Sequence, residues 1–239
     1  MKVALIGYGR MGKEIEAISI DRHHEIVLKI DIENQQDFDT QNLNKADVAI
    51  DFSIPSSAYN NILKCFEADV PVVCGTTGWL DKFDEVVNIC KQKKGTFFYA
   101  SNYSIGVNLF FKLNKQLAQM MNEFSDYDVE IEEIHHIHKL DAPSGTAITL
   151  ADGIIGEIER KETWRLDAIN EKDIISITAK RENEVPGIHK IKYNSTVDSI
   201  EIIHSAKNRK GLALGAVLAA EYIKDKKGVF SMDDLMKGE

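Results

Sequence analysis

Cysteine is scarce in this chain: three residues in 239, at positions 65, 74 and 90. So few thiols, unevenly spaced, exclude a disulfide framework and a cysteine-based zinc motif, and they read as buried thiols of a reducing compartment. Positive charge is also short. Lys and Arg number 29 against 38 Asp and Glu, which leaves a formal net charge of −9. That balance argues against nucleic acid as a partner, because a phosphate backbone rewards clustered lysine and arginine. Any anionic ligand must then be held by local positive potential working against the global field. Long apolar runs are missing too. The first, Val3-Ala4-Leu5-Ile6, is far too short for a signal-peptide core or a membrane span, so a cytoplasmic protein is expected.

What is present is ordinary for a globular chain: 44% hydrophobic and 28% charged residues, with length enough to bury a sizeable core. Up to about residue 105, short runs rich in Val and Ile at 2–6, 25–30, 48–52, 70–74 and 96–100 alternate with amphipathic segments at about 11–21, 56–68 and 81–93. That rhythm predicts an α/β fold, a Rossmann-like doubly wound parallel sheet, in a dinucleotide-binding domain spanning 1–106. The polar stretch 33–47 reads as a loop. Beyond it, 107–124 reads as a long helix. Strand-like segments follow at about 127–136, 173–181, 188–194 and 197–204, with one helix at about 145–160. Clustered strands predict a smaller α+β domain over 107–211, with a mixed or mostly antiparallel sheet. The segment 212–239 opens with a helix of small and apolar residues, expected to return to the first domain.

Gly7-Tyr8-Gly9-Arg10-Met11-Gly12 follows the first strand and precedes a helical pattern. In that context the first glycine permits a tight turn, the second admits a pyrophosphate, and the third lets helix and strand approach. Asp31 closes the second strand, where a carboxylate accepts hydrogen bonds from ribose hydroxyls and repels a 2′-phosphate. Ile32 beside it offers no cation, so NADH is expected to be preferred, with NADPH possible. Gly75-Thr76-Thr77 and Ala100-Ser101-Asn102-Tyr103 leave the C-terminal ends of the fourth and fifth strands, where ligands of open α/β sheets bind. Plain turn chemistry is the alternative for both.

The densest chemistry lies in Glu132-Glu133-Ile134-His135-His136-Ile137-His138-Lys139-Leu140-Asp141-Ala142-Pro143-Ser144-Gly145-Thr146-Ala147. Three imidazoles and an ammonium stand directly before a helix start. Ser144 is a natural N-cap, and the N–H groups of Gly145 and Thr146 behind it make an anion seat. Imidazoles suit proton transfer near neutral pH, and Lys139 suits a carboxylate or a proton transfer. A metal site is the alternative, and none is expected: His136 and His138 share a strand face and carboxylates could add to them, but no cysteine or further histidine pair supplies an obvious third and fourth ligand.

These motifs resemble the 4-hydroxy-tetrahydrodipicolinate (dihydrodipicolinate) reductases. The resemblance runs from the glycine loop through Asp51-Phe52-Ser53, residues 75–78 and 101–108, the 133–147 block, Arg181, Pro186-Gly187-Ile188-His189 and His204-Ser205-Ala206. It implies NAD(P)H-dependent reduction of the cyclic imine, with hydride delivered to C4, in lysine and diaminopimelate biosynthesis. It further implies His135 and Lys139 as acid catalysts, His136 as a substrate contact, and Gly145 and Thr146 as carboxylate contacts, so that one substrate carboxylate is expected on the Ser144–Thr146 helix start and Lys139, with Ser144 as a further substrate contact. Residues 7–12, 31, 75–77 and 100–103 would hold the cofactor. A homotetramer built through the second domain is implied as well. Three departures stand out: Ile137 and Ile32 where basic residues are frequent, and Asn183 in place of a glycine often found after Arg181, with a shortened segment at about 160–175. Another two-domain nicotinamide dehydrogenase acting on an amino acid or semialdehyde is the alternative, though it has no need of the His-rich block. A non-enzymatic dinucleotide sensor would call for a partner-binding module that the sequence does not show.

Overall fold

The computed structural model describes residues 1–168, 171–208 and 210–237. Its first half comprises β1 (Lys2–Ile6), α1 (Arg10–Asp21), β2 (Glu25–Ile30), a 3₁₀ turn at Ile32–Asp37, α2 (Thr40–Leu43), β3 (Val48–Asp51), α3 (Pro55–Glu67), β4 (Val72–Cys74), α4 (Phe83–Lys93) and β5 (Thr96–Tyr99). Then come α5 (Ile105–Met121), β6 (Asp128–His135), α6 (Gly145–Ile155), β7 (Thr163–Leu166), β8 (Ile174–Arg181), β9 (Ile188–Asn194) and β10 (Ser199–Ser205). The chain closes with α7 (Lys210–Ile223), β11 (Gly228–Phe230) and α8 (Met232–Met236). Two compact units result: Met1–Ile105 with Lys210–Glu239, and Gly106–Arg209.

In the first unit six parallel strands run in the order β11-β5-β4-β3-β1-β2. Alternation along β1 sends Ala4 and Ile6 to one face, against Ile62 of α3 and Val86 of α4. Val3 and Leu5 go to the other, against Ile15 of α1 and Ala213, Ala216 and Val217 of α7. Both faces are therefore covered, which is why these strands are continuously apolar. The chain crosses from β2 back past β1 to β3, so the strand order reverses between β1 and β3. That reversal opens a crevice at the C-terminal strand ends.

The polar stretch 33–47 is not a plain loop. Asp31 caps the 3₁₀ turn, and Asp39 Oδ1 accepts the Asn42 N–H at 2.8 Å to start α2. Phe38 and Leu43 are buried there and Ala46 partly so, too little periodicity to reveal a helix.

The second unit is one five-stranded mixed sheet, β10-β9-β6-β8-β7, with β6, β8 and β7 parallel and β9 and β10 antiparallel. Val129, Ile131, Ile177, Ile191 and Tyr193 face Phe110 and Ala118 of α5 and Leu150 and Ile154 of α6. Glu130, Glu132, Lys190 and Lys192 alternate onto the opposite face, where Lys192 pairs with Glu130. Strand β7, which the sequence did not suggest, has no buried residue and so lacks the alternation that marks a strand. Asn183 adopts a left-handed conformation with φ 44°. Asparagine tolerates that region, so the turn keeps the geometry a glycine would give. Residues 169–170, inside the segment expected to be shortened, lie outside the described residues.

Candidate active site

At the switch between β1 and β3, the first-unit loops interlock. Gly7 takes φ 88°, and a Cβ there would sit 2.3 Å from the Phe52 carbonyl oxygen, so only glycine fits. A Cβ on Gly12 would meet the Gly7 oxygen at 2.4 Å, and the missing side chain is what seats α1 against the turn. Gly9 differs: no protein atom lies within 4 Å of a Cβ built on it. Packing within the chain does not ask for glycine there, whereas close approach of a pyrophosphate does. Gly9 is the N-cap of α1 and no side chain caps it, so the first N–H groups of α1 keep their donors for an anion.

The other expected cofactor residues divide into two groups. Arg10, Asp31, Thr77 and Ser101 are exposed; Met11, Gly75 and Asn102 are half-buried. The Asp31 carboxylate accepts the Ile32 N–H at 2.9 Å. Tyr8 is half-buried, its hydroxyl donating to Glu16, with Lys29 above its ring at 4.9 Å. Thr76, Ala100 and Tyr103 are buried. The Thr76 hydroxyl donates to Asp51 at 2.9 Å and the Tyr103 hydroxyl to the Cys74 carbonyl at 2.7 Å. These two side chains hold their loops from beneath, leaving backbone at the crevice.

In the second unit, period-2 alternation on β6 carries Val129 and Ile131 into the core and then places Glu133 and His135 on that same buried face. Neighbouring strands bring their own residues to the spot: Glu133 pairs across from His189 of β9, and His135 from Arg181 of β8. Glu133 is fully buried. Both its oxygens accept the Ser144 N–H, at 3.1 and 3.0 Å, and Arg181 Nη2 lies 3.2 Å from Oε1. His135 Nδ1 is 3.5 Å from the same carboxylate, and His189 Nε2 is 3.7 Å away. The two imidazoles meet edge to face with centroids 5.1 Å apart. Gly187, at φ 153°, leaves room for them, since a Cβ would press on His135 Nε2 at 3.1 Å.

Burial lowers the pKa of His135, and the Glu133 charge opposes that shift. His189 is pushed down to about 3, by burial first and by His135 second. Glu133, His135 and His189 each offer a ligand atom, all within 4.8 Å of one another. Yet the carboxylate already accepts the Ser144 N–H and has its counter-charge in Arg181, so the donor set suits an acid–base cluster better than a cation.

The segment after β6 is clasped by the same arginine: Arg181 Nε donates to the Lys139 carbonyl at 3.3 Å and Nη2 to the Asp141 carbonyl. Lys139 Nζ bridges both Asp141 oxygens at 2.8 Å. His136 is half-buried, and His138 points outward to Glu184 at 2.9 Å. A cis Ala142–Pro143 bond precedes Ser144. Ser144 is buried as the N-cap of α6, its Oγ accepting the Ala147 N–H at 3.2 Å and lying 3.1 Å from His189 Nε2. Expected as a substrate contact, Ser144 has its N–H and hydroxyl committed to protein groups. Gly145 and Thr146 lie nearer the surface at the head of α6.

The model of "Dihydrodipicolinate reductase, N-terminus" matches residues 1–103, and that of "Dihydrodipicolinate reductase, C-terminus" matches residues 106–236. The chain belongs to the dihydrodipicolinate reductase family. A 4-hydroxy-tetrahydrodipicolinate reductase of Christiangramia forsetii is 54% identical over 99% of this chain and 98% of its own. One from Neisseria meningitidis is 35% identical over 92% of this chain and 83% of its own. Among solved structures, a dipicolinate-bound dihydrodipicolinate reductase from Paenisporosarcina sp. TG-14 has the same fold, with TM-score 0.79, 24% identity and 99% of each chain covered.

In this chain Glu133, Arg181, His189 and Asp51 lie within the candidate site regions although no role was expected of them. A signal for Glu133 existed: an acid on the apolar side of a period-2 strand, two residues before His135. Arg181 and His189 reach the cluster only through strand pairing, which one sequence does not reveal.

Proposed function

We propose that the chain reduces 4-hydroxy-tetrahydrodipicolinate to tetrahydrodipicolinate with a reduced nicotinamide dinucleotide, in lysine and diaminopimelate biosynthesis. The observation that carries this reading is a family relationship running through both units at 54% identity over 99% of the chain. It makes the glycine-loop edge and the buried histidine cluster parts of one enzyme.

NAD(P)H, when bound, supplies the hydride that reaches C4 of the substrate ring. The chain's own part begins with the uncapped N–H groups behind Gly9, which receive the pyrophosphate. Asp31 takes the ribose hydroxyls, and residues 75–77 and 100–103 line the nicotinamide end. Asp31 and the uncharged, 86% exposed Ile32 support NADH over NADPH, since neither offers a cation to a 2′-phosphate. No helix among the described residues is long and apolar enough to cross a membrane.

The N–H groups of Gly145 and Thr146 hold one substrate carboxylate, with Lys139 exchanging Asp141 for the substrate, and His136 contacts the dicarboxylate. Ser144 acts from beneath, fixing the head of α6. His135 is the acid. Burial keeps it neutral in the free enzyme, and an arriving dicarboxylate raises its proton affinity, so that the proton needed after hydride addition is gathered at His135 Nε2 or Nδ1. Lys139 stabilises the charge that develops or donates in turn. The second-unit sheet, which among the described residues of that unit packs α5 and α6 on one face and turns Glu130, Glu132, Lys190 and Lys192 to the other, supports assembly into a homotetramer.

The test is oxidation of NADH and of NADPH by the purified chain, with substrate generated in place from pyruvate and aspartate semialdehyde by the upstream synthase. Synthase-dependent oxidation faster with NADH is expected. None with either cofactor, from folded protein, would overturn the reading; equal efficiency would overturn the preference alone.

A further inference from the structure

Asp51 ends β3 and is fully buried, yet the reaction gives it no duty. Its four hydrogen bonds all come from neutral donors. Ser53 N–H at 2.9 Å, Ser53 Oγ at 2.7 Å and Thr76 Oγ1 at 2.9 Å converge on Oδ1, and Asn61 Nδ2 of α3 donates to Oδ2 at 3.0 Å. A buried carboxylate without a countercharge costs free energy that an apolar residue would not. Its return must lie in the geometry it imposes.

That geometry concerns the cofactor loops. Thr76 is gripped on three sides: its hydroxyl donates to Asp51 and accepts the Ser53 N–H at 2.9 Å, and its carbonyl takes the Trp79 indole N–H at 2.7 Å. Phe52, next to Asp51, receives Gly7 against its carbonyl and Gly75 against its ring, where a Cβ would lie 2.2 Å from Cζ. The backbone of Phe52 is tied by its N–H to Ile6 at 2.8 Å, and that of Gly75 by its N–H to Asp51 at 2.9 Å. One three-residue segment thus meshes with the loops after β1 and β4, and a single Asp51 oxygen, Oδ1, joins Ser53 to Thr76 beside their direct bond.

We infer that Asp51 is a positioning residue for the nucleotide: through Ser53 and Thr76 it sets the spacing between the glycine loop after β1 and the Gly75–Thr77 loop. The inference rests on the assignment of those loops to the cofactor. An acceptor-only group is required. Asn at position 51 must turn an NH₂ either on Asn61 or on the three donors at the other end. A compensating exchange follows, because Asn61→Asp in the Asp51→Asn background restores a donor facing an acceptor.

Fluorescence titration with NADH, on preparations shown to be folded by circular dichroism, tests this. Asp51→Asn should raise the NADH Kd about tenfold, equivalent to ~1.4 kcal/mol, with the KM for the dicarboxylate unchanged. The Asp51→Asn/Asn61→Asp pair should recover most of the loss. A carboxylate with a purely structural role predicts a lower Tm with an unaltered Kd, and that result would overturn the inference, as would a double variant no better than the single. Should Asp51→Asn fail to fold, Thr76→Val cuts the same tie from the loop side, and a wild-type Kd there would equally overturn it. Wild-type protein that binds no NADH is a different outcome, removing the cofactor assignment on which the inference stands.

Discussion

His135 and His189 are the same side chain at two depths, and depth sets their duties. His189 lies behind, its pKa pushed to about 3 from an ordinary 6.5, so it stays neutral across the working range. Between those two values the unfolded chain binds a proton that the folded one refuses, so stability rises with pH through that window and is lost as pH falls. Replacing His189 by Gln should remove that contribution: the stability lost between pH 7 and pH 5 should be smaller in the variant by ~2 kcal/mol, read from urea unfolding at both pH values. Equal losses would show that His189 is not buried neutral. His135 sits nearer the exit and feels Glu133, which opposes its desolvation. Because the bound dicarboxylate adds negative charge, the pKa governing kcat should lie above the one governing kcat/KM. Coincident values would contradict uptake of the proton on substrate binding. In the same assay His135→Gln should cut turnover by about 10² or more while leaving NADH affinity unchanged.

Elements decide which of these residues a sequence can expose. Strands β1 and β3 stood out in their composition because burial on both faces demands unbroken apolar runs, and the glycine loop between β1 and α1 has a physical reason at each glycine. Gly12 and Gly9 separate packing from binding. Gly12→Ala drives a methyl into the Gly7 carbonyl and should destabilise the protein by about 1–3 kcal/mol, whereas Gly9→Ala should melt like wild type yet bind NADH more weakly. Thermal melts beside NADH titrations check the pair, and a destabilised Gly9→Ala would deny the distinction. The acid–base block was legible because His135, Lys139 and the head of α6 are close in sequence. What supports it was not: Arg181 and His189 arrive by pairing of β8 and β9 with β6, and Asp51 reaches Thr76 across a βαβ crossover. The short elements β7, β11 and α2 bury too little to leave a periodic trace.

At the scale of the molecule, one face of the second-unit sheet is packed under α5 and α6 and the other bears interleaved Glu130, Glu132, Lys190 and Lys192. Light scattering should return about four times the 26.9 kDa chain mass; a monomer would refute the tetramer. The order of the units along the chain has a further consequence. The unit spanning Gly106–Arg209 is continuous, while the other encloses it and is finished only by Lys210–Glu239. Until α7 and β11 have been made, Val3, Leu5, Val48 and Ile50 lack the part of their cover that α7 supplies and β5 remains an open sheet edge. On the ribosome, then, the inserted unit has its whole sequence first, reversing the N-to-C order in which domains generally mature. The nascent N-terminal half must wait with one apolar face covered by α1 alone until α7 is released.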